Sequence, residues 1–279
     1  MNKIAVFTVV FPAIEKYFSD FKQSLLKQTS QNYDLVIVND GCDECLLRGL
    51  FSDFNLYILP PAISRAKHRE VGIEYAKKRG YEYMVFCDAD DYFFNNRIAL
   101  CVEYLSREGV DIVVNDLDIV NEKGELIQHG YLSNRISEKT NLDASFLYNK
   151  NIFGLSNTAI NLIQLPEINL PEDLIIVDWF LFSYLLEKGM KSVFIKEPLT
   201  YYRQHESNAI GINKMSVETY KKQLRFKIDH YKHLSDSFPI YIQLYDEANK
   251  LLLMSDDEIE RRIITKKDIK NPLWWEIIN

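Results

Sequence analysis

Strand-length apolar runs alternate with segments of helical periodicity along the first part of the chain, and this alternation restricts the fold more than any other feature. The runs occupy residues 4–11, 35–38, 55–59, 83–87 and 110–114. Strands that alternate with helices at short spacing form βαβ units, and uninterrupted apolar strands are typical of a parallel sheet covered on both faces. The sequence therefore predicts an α/β fold with a doubly wound, mostly parallel sheet.

Capping and turn signals predict where several elements begin and end. Ser64 is a candidate N-cap for a helix that continues to Lys78, and Gly80 ends it. A second helix is predicted for residues 97–105, and residues 119–127 carry the signature of a β-hairpin. These elements continue the βαβ pattern toward the middle of the chain.

The second half of the chain is less regular. Residues 178–188 read as an apolar helix and residues 193–195 as a last strand, after which the sequence becomes helical and charged. This change of character predicts two units. Residues 1–212 form the α/β domain, and residues 213–279 form a C-terminal helical extension.

Charge and hydropathy exclude several classes of protein. The formal net charge is −7 and the sequence pI is about 5.4, so the chain has no general attraction for nucleic acid. The best candidate for a membrane span, residues 174–186, is too short and is interrupted by Asp178. The first residues lack the basic start and long apolar region of a signal peptide. We therefore expect a cytoplasmic protein without a transmembrane helix.

Three aspartates, Asp88, Asp90 and Asp91, directly follow the predicted strand at residues 83–87. Carboxylates that share a cavity repel each other, and a divalent cation relieves that repulsion. Mg²⁺ takes one or two carboxylates together with substrate phosphates, and Mn²⁺ accepts the same ligands. An acidic turn without a metal is the alternative, because aspartate is common in turns. The position at a strand end, where ligands bind in such folds, favours the metal site.

Other polar residues at strand ends and helix starts are candidates for binding a substrate. Asp40 closes the second strand, either as an acceptor for a base or ribose or as a turn residue before Gly41. Arg69 belongs to a basic helix start that could hold a diphosphate, although a solvated basic face gives the same pattern. Asp178 opens an apolar helix, either as its N-cap or as a general base with a raised pKa.

Taken in order, several of these segments resemble the family 2 glycosyltransferases, which are inverting enzymes of GT-A fold. The matching segments are TVVFP at residues 8–12, LLKQT at 25–29, VIVNDG at 36–41, HREVGI at 68–73, FCDADD at 86–91 and VDW at 177–179. Each motif is loose, but their order and spacing together are specific. The resemblance covers approximately residues 1–212.

The resemblance implies roles for the residues on the donor side. Asp40 would bind the nucleotide base, usually uracil, and the turn from Thr8 to Pro12 would line that pocket. Arg69 stands at the Arg of the family's Arg-Asn pair. Asp88 would contact the ribose side of the nucleotide.

The resemblance also implies the metal ligands and the base. Asp90 would hold the metal, and His205 resembles a late histidine that some members place near the diphosphate or metal. Asp178 stands where the family has the base that deprotonates the acceptor hydroxyl. The chain departs from the family at two positions, because Glu70 replaces the Asn of the Arg-Asn pair and Val177 replaces the Glu before the base.

These roles imply a metal-dependent inverting glycosyltransferase that uses Mn²⁺ or Mg²⁺. The resemblance favours a UDP-sugar as the donor and a glycan, a lipid-linked glycan or a protein as the acceptor, in the synthesis of bacterial surface glycans. The strongest alternative is a non-catalytic protein that binds a nucleotide-sugar. An NAD-dependent dehydrogenase or a nucleotidyltransferase would need a Gly-rich turn near the N-terminus, and no Gly precedes Gly41.

The C-terminal extension combines a basic segment with an aromatic pair, Trp274 and Trp275. This combination suits a peripheral contact with the inner face of a membrane. The alternative is a helical tail that packs on the catalytic domain. Acidic residues from Asp256 to Glu260 interrupt the basic character and favour packing.

Overall fold

Ten strands form one mixed sheet in the computed structural model, which describes residues 3–137, 139–205, 216–265 and 272–276. In chain order the strands are β1 (Ile4–Val10), β2 (Asp34–Asn39), β3 (Leu56–Leu59), β4 (Tyr83–Phe86), β5 (Tyr92–Phe93), β6 (Ile112–Val120), β7 (Leu126–Gln128), β8 (Lys139–Leu142), β9 (Thr158–Asn161) and β10 (Ser192–Arg203). The predicted apolar runs correspond to β1, β2, β3, β4 and β6.

Eight α-helices and two short 3-10 helices connect and cover these strands in the described residues. The α-helices are α1 (Phe18–Leu26), α2 (Glu44–Leu50), α3 (Arg65–Lys78), α4 (Arg97–Leu105), α5 (Val177–Glu187), α6 (Val217–Ser235), α7 (Ile240–Leu252) and α8 (Asp256–Thr265). The 3-10 helices are Pro12–Tyr17 and Ala144–Leu147. The side chain of Ser64 caps α3 as predicted, since its hydroxyl accepts a hydrogen bond from the backbone N–H of Lys67 at 3.3 Å.

The strand order is β3-β2-β1-β4-β9-β6-β10-β5, with β7 beside β6 and β8 beside β10. Strands β3, β2, β1 and β4 are parallel to one another, and β6 is parallel to β10. Strand β9 lies between these two groups and is antiparallel to both β4 and β6. Six of the eight strands of the path, all except β9 and β5, therefore share one direction, which confirms the mostly parallel sheet.

Among the elements that the sequence patterns did not predict, β9 and α2 have clear local reasons. Strand β9 contributes only Ala159 and Ile160 as apolar residues, so it gives no strand-length apolar run. Helix α2 is a single short helix on which Leu47 is the one buried residue. Its N-cap is Asp43, whose carboxylate accepts hydrogen bonds from the backbone N–H groups of Cys45 and Leu46.

The sheet separates two hydrophobic cores. Alternate residues of β1 point to opposite faces, so Val6 belongs to the core under α1, α2 and α4, whereas Phe7 belongs to the core under α3 and α5. Helix α3 approaches β1 closely at Gly72. A Cβ atom at that position would lie 2.0 Å from Cε2 of Phe7, so only glycine fits there.

The C-terminal helices pack on α5 instead of extending into solvent. Helix α6 contacts α5, and buried residues of α6 and α7 share a hydrophobic core with α5. Trp274 and Trp275 are also buried in that core. The predicted boundary near residue 212 lies outside the described residues, and the division into two units stays a prediction. No helix among the described residues is long and apolar enough to cross a membrane.

Candidate active site

The acidic loop, residues 88–91, lies at the carboxyl end of β4, next to the carboxyl ends of β1 and β2. The backbone N–H of Asp88 donates to the hydroxyl of Ser156 at 3.1 Å, and that hydroxyl lies 3.4 Å from Oδ2 of Asp88. Beneath the loop, the buried guanidinium of Arg97 donates to the carbonyl oxygen of Phe86 at 2.7 Å and to Sγ of Cys87 at 3.2 Å. The end of β4 and the start of the loop are therefore held from below.

Asp90 and His205 lie side by side at this loop. Oδ2 of Asp90 is 3.0 Å from Nε2 of His205, and the imidazole ring stacks on Tyr17 with 5.5 Å between ring centroids. The chain thus brings together the two residues that the resemblance assigns to the metal, although 114 positions lie between them in the sequence.

The donor atoms of Asp90 and His205 fit a divalent cation. Neighbouring ligand atoms of an octahedral site lie ~3 Å apart, because each is ~2.1 Å from the ion. Across the described residues, no cluster of three or more His, Cys, Asp or Glu side chains could hold a metal. Two protein ligands nevertheless suit Mg²⁺ or Mn²⁺, since such ions commonly complete their coordination with substrate phosphates and water.

Arg203 organises the same loop, although the sequence patterns assigned it no role. Its backbone N–H donates to Oδ1 of Asp91 at 2.7 Å, and its guanidinium donates to the carbonyl oxygens of Asp90 and Glu122 at 2.8 and 2.7 Å. It also pairs with Asp20 at 2.7 Å. Its place two positions before His205 was the available sequence signal. In the structure Arg203 ends β10 and is only 1% exposed.

The resemblance assigns a nucleotide pocket to Asp40, Thr8 and Pro12, of which Asp40 directly follows β2 and Pro12 comes two residues after the end of β1. The backbone N–H of Asp40 donates to the carbonyl oxygen of Val10 at 2.8 Å, while its carboxylate stays half exposed, 3.9 Å from Nδ1 of His68. Pro12 is exposed at the start of the first 3-10 helix. Thr8 is only 1% exposed inside β1, so its side chain lies under the pocket and not on its surface.

Arg69 and Asp88 face each other between the acidic loop and α3. Nη2 of Arg69 is 4.0 Å from Oδ1 of Asp88, and Nη1 donates to the carbonyl oxygen of Arg65 at 3.1 Å. Burial lowers the pKa of Arg69, and burial together with the charge of Asp90 raises the pKa of Asp88 to about 6. Within the described part of the chain, the buried Nε of Arg69 has no hydrogen-bond partner. A ligand that accepts hydrogen bonds would satisfy it.

Asp178 lies in the first turn of α5, two positions after the N-cap. The N-cap is Ile176, which makes no side-chain hydrogen bond, so the N-cap interpretation of Asp178 was wrong. Its Oδ1 accepts the N–H of Trp179 at 2.8 Å, and its Oδ2 accepts Nδ2 of Asn151 at 3.3 Å. Burial raises the pKa of Asp178 to about 7, and the negative charge of Asp88 adds to the shift.

Asp178, Asp88 and Arg69 line one cleft of about 430 Å³. Its other lining residues are Arg65, Gly154, Leu155, Ser156, Ile175, Ile176, Val177, Tyr202, Lys222, Phe226, Trp274 and Trp275. One end of the cleft is therefore charged and lies at the acidic loop, and the other is apolar and aromatic. Helix α6 and residues 272–276 supply part of the aromatic end.

The two departures from the family motifs occupy different places. Val177 lines the cleft beside Asp178, so an apolar group replaces a carboxylate there. Glu70 binds Lys67 at 2.8 Å and accepts the backbone N–H of Leu170 at 2.5 Å, so it ties α3 to the loop before α5. It does not belong to the described lining of the cleft.

Comparisons with known proteins agree on one family. An uncharacterized glycosyltransferase of Rickettsia bellii is 26% identical over 110 residues, which are 38% of this chain and 16% of that protein. The dTDP-rhamnosyl transferase RfbG of Shigella flexneri is 22% identical over 151 residues, which are 51% of this chain and 50% of that protein. The aligned part thus spans half or less of these curated relatives.

Solved structures of glycosyltransferases share the fold. Residues 1–349 of S. aureus TarS in complex with UDP-GlcNAc match with a TM-score of 0.61 and 17% identity, over 88% of this chain and 71% of that chain. GalNAc-T7 with UDP, GalNAc and Mn²⁺ matches with a TM-score of 0.56 and 16% identity, over 94% of this chain and 57% of that chain. The family model of glycosyl transferase family 2 matches residues 6–161, which include β1, β2, β4 and the acidic loop. The chain belongs to glycosyl transferase family 2.

Proposed function

We propose that this protein is a metal-dependent inverting glycosyltransferase that moves a sugar from a UDP-sugar to an acceptor hydroxyl. The observation that carries the proposal is the position of Asp178. Its carboxyl group lies in a cleft of about 430 Å³ that also reaches Asp88 and Arg69, and burial raises its pKa to about 7. A carboxylate with a pKa near neutrality is suited to take a proton from a hydroxyl.

The reaction is a single displacement at the anomeric carbon. Asp178 accepts the proton of the acceptor hydroxyl while that oxygen forms its bond to the anomeric carbon. The bond from the same carbon to the diphosphate oxygen breaks, and the nucleoside diphosphate leaves with its electron pair. Because attack and departure occur on opposite faces of the carbon, the anomeric configuration inverts.

Residues at and beside the acidic loop would hold the donor. Asp90 and His205 would hold the Mn²⁺ or Mg²⁺ ion, which when bound supplies positive charge that stabilises the departing diphosphate. Arg69 lines the cleft together with Asp88 and Asp178, so its guanidinium can bind a phosphate oxygen and satisfy its buried Nε. Asp40, half exposed at the end of β2, can accept a hydrogen bond from the base.

UDP is the nucleotide that the comparisons favour. The solved structures of TarS and GalNAc-T7 contain UDP or UDP-GlcNAc, and the latter also contains Mn²⁺. The Shigella flexneri relative is named for a dTDP-sugar, so dTDP is the second nucleotide to test. For the acceptor we propose a glycan, free or linked to lipid or protein, in the assembly of a bacterial surface polysaccharide.

Calorimetry with UDP tests the donor site. We expect wild-type protein to bind UDP with Mn²⁺ at least about tenfold more tightly than with EDTA. Asp90→Ala should remove that difference, because the variant lacks a proposed metal ligand. Asp53→Ala removes a surface carboxylate that pairs only with Lys22 at 2.6 Å, and it should bind UDP as the wild type does.

Two results of the same calorimetry would contradict the proposal. If wild-type protein binds none of UDP, GDP and dTDP with Mn²⁺, the transferase proposal is wrong. If Asp90→Ala shows the same gain in UDP affinity from Mn²⁺ over EDTA as the wild type, the proposed role of Asp90 in metal binding is wrong.

A further inference from the structure

Residues 272–276 are tied to the sheet domain by a set of polar contacts. Nη1 and Nη2 of Arg135 bind the two carboxylate oxygens of Glu276 at 2.6 and 3.0 Å, a bidentate pair. The hydroxyl of Tyr131 donates to the carbonyl oxygen of Pro272 at 2.5 Å, and the N–H of Leu273 donates to Glu276 at 2.9 Å. The segment is therefore clamped at both of its ends.

Trp275 within this segment has an unusual backbone. Its φ is 59°, the one positive φ of a non-glycine residue in the described chain. A bulky residue in the left-handed region costs free energy and persists only where the surroundings hold it. The ring of Trp275 stacks above Trp179 with 6.3 Å between centroids, and the edge of Phe226 meets it at 5.4 Å. Such over-determined strain is typical of functional sites.

Trp274 connects this segment to Asn151. The backbone N–H of Asn151 donates to the carbonyl oxygen of Trp274 at 2.7 Å. The indole of Trp274 packs so closely on Gly154 that a Cβ atom there would lie 3.0 Å from two ring carbons. The end of the chain thus fixes the backbone of the segment that forms one wall of the cleft.

Asn151 in turn contacts Asp178. Its side chain is fully buried, and its amide is held by Phe153, whose N–H donates to Oδ1 and whose carbonyl accepts from Nδ2, both at 2.9 Å. The second hydrogen of Nδ2 is then directed to Oδ2 of Asp178 at 3.3 Å. Because the N–H of Trp179 binds Oδ1, both oxygens of Asp178 receive a hydrogen bond.

Helix α6 supports the same wall from behind. Nζ of Lys227 donates to the carbonyl oxygen of Asn149 at 2.7 Å, and the hydroxyl of Tyr231 donates to the carbonyl oxygen of Tyr148 at 2.5 Å. These contacts place the extension against the residues just before Asn151. They do not reach the acidic loop at the donor end.

We propose that residues 272–276 are a positioning element for Asp178, which they hold toward the acceptor through Trp274 and Asn151. The proposal rests on the proposed function of Asp178 as the base. It assigns to the C-terminal aromatic pair a role inside the active site instead of at a membrane surface. Asn151 is the positioning residue, and the Arg135–Glu276 pair holds the element in place.

The first test needs no substrate. Carboxyl ¹³C NMR of protein labelled at aspartate, with Asp178→Asn to assign the signal, follows the titration of Asp178. Asn151→Ala and Asn151→Ser should raise the pKa of Asp178 by at least about 0.5 unit, because the carboxylate loses a hydrogen bond. The other charged groups of the cleft, Asp88, Arg69, Arg65 and Lys222, are unchanged.

The second test displaces the clamp in the full chain. Glu276→Arg opposes Arg135 with a like charge, and the double variant with Arg135→Glu restores the pair. The only tryptophans of the chain are Trp179, Trp274 and Trp275, so intrinsic fluorescence reports docking of the segment. We expect Glu276→Arg to shift the emission to the red and to lower UDP release from a UDP-sugar at least about tenfold. UDP affinity with Mn²⁺ should stay within about twofold, and the double variant should recover both signals.

Three outcomes distinguish a failure of the positioning role of residues 272–276 from a failure of the base role of Asp178. If the titration of Asp178 is unchanged in both Asn151 variants, the positioning role is wrong. It is also wrong if Glu276→Arg loses UDP affinity as much as turnover, since that pattern indicates a general structural effect. If Asp178→Asn retains wild-type turnover, the base assignment itself fails.

Discussion

The proposed donor end and the proposed acceptor end of the site are built differently. At the donor end, Asp88, Asp90 and Asp91 follow one strand, Arg203 ends another, and His205 comes two residues after it. At the acceptor end, Asp178 depends on contacts with segments far away in the chain, including Asn151 and the buried aromatic residues of 272–276. The donor end is a polar network around fixed charges, whereas the acceptor end is an apolar wall around one carboxyl group.

We expect this difference to separate the effects of variants on nucleotide binding from their effects on sugar transfer. A change at the donor end should affect metal and nucleotide binding, because the ligand replaces or neutralises the charges there. A change at the acceptor end should affect proton transfer and leave the nucleotide bound. Variants at the two ends should therefore give opposite patterns of affinity and turnover.

The largest expected effect is the loss of turnover in Asp178→Asn. The amide cannot accept the proton of the acceptor hydroxyl, so we expect UDP release from a UDP-sugar to fall by about 10³-fold. UDP affinity with Mn²⁺ should stay within about twofold of the wild type, measured by calorimetry. Equal loss of affinity and turnover would contradict the separation of the two ends. A wild-type protein that never consumes any UDP-sugar would instead favour the non-catalytic binder.

The next largest effect should come from Arg203→Met at the donor end. The variant leaves two backbone carbonyls without the buried guanidinium that donates to them, so the free energy of unfolding should fall by about 3 kcal/mol. Mn²⁺-dependent UDP binding should weaken in the same variant, since Arg203 holds the carbonyl of Asp90. Denaturant unfolding and calorimetry measure the two effects.

Arg107→Met is the matched control for that variant. Arg107 is exposed and pairs at 2.8 Å with Glu103 within one helix turn. Its removal should change the free energy of unfolding by less than about 0.5 kcal/mol and leave UDP binding intact. A similar loss of stability in both variants would mean that Arg203 does not organise the donor end.

The donor end was also the more predictable one from sequence. The strand-length run before Asp88 and the turn after Asp40 are local signals, because parallel strands bring their carboxyl ends to one edge. The acceptor end gave no such signal. Asn151 acquires its contact with Asp178 only through the packing of α5, and the sequence around Trp274 left a membrane contact open beside the favoured packing on the domain. Arg203 was missed although His205, two positions later, was found.

A smaller effect is expected from the response of Asp178 to pH. The folded protein keeps the proton on Asp178 up to a pKa of about 7, whereas an unfolded aspartate loses it near ~3.9. Asp178 therefore favours folding most below about pH 4, and this contribution is lost as the pH rises toward 7. Because asparagine does not ionise, the melting temperature of Asp178→Asn relative to wild type should rise by about 3 °C between pH 5 and pH 8.

Turnover should respond to pH in the opposite sense. The base acts only when ionised, so wild-type turnover should fall as the pH drops below about 7. Asp88 and Arg69 face Asp178, and Arg65 and Lys222 line the same cleft. For the stability prediction, the opposing result is a difference in melting temperature between Asp178→Asn and wild type that does not change between pH 5 and pH 8. That result would mean that Asp178 titrates as an exposed aspartate does.

The smallest effect should come from Glu70→Gln, which tests where the border between the two ends lies. Glutamine can still accept the N–H of Leu170, but it loses the charge that pairs with Lys67 at 2.8 Å, and the free energy of unfolding should fall by about 1 kcal/mol. Since Glu70 ties α3 to the loop before α5, UDP affinity should stay within about twofold. A tenfold change in UDP affinity would instead place Glu70 in the donor pocket, at the position where the family has asparagine.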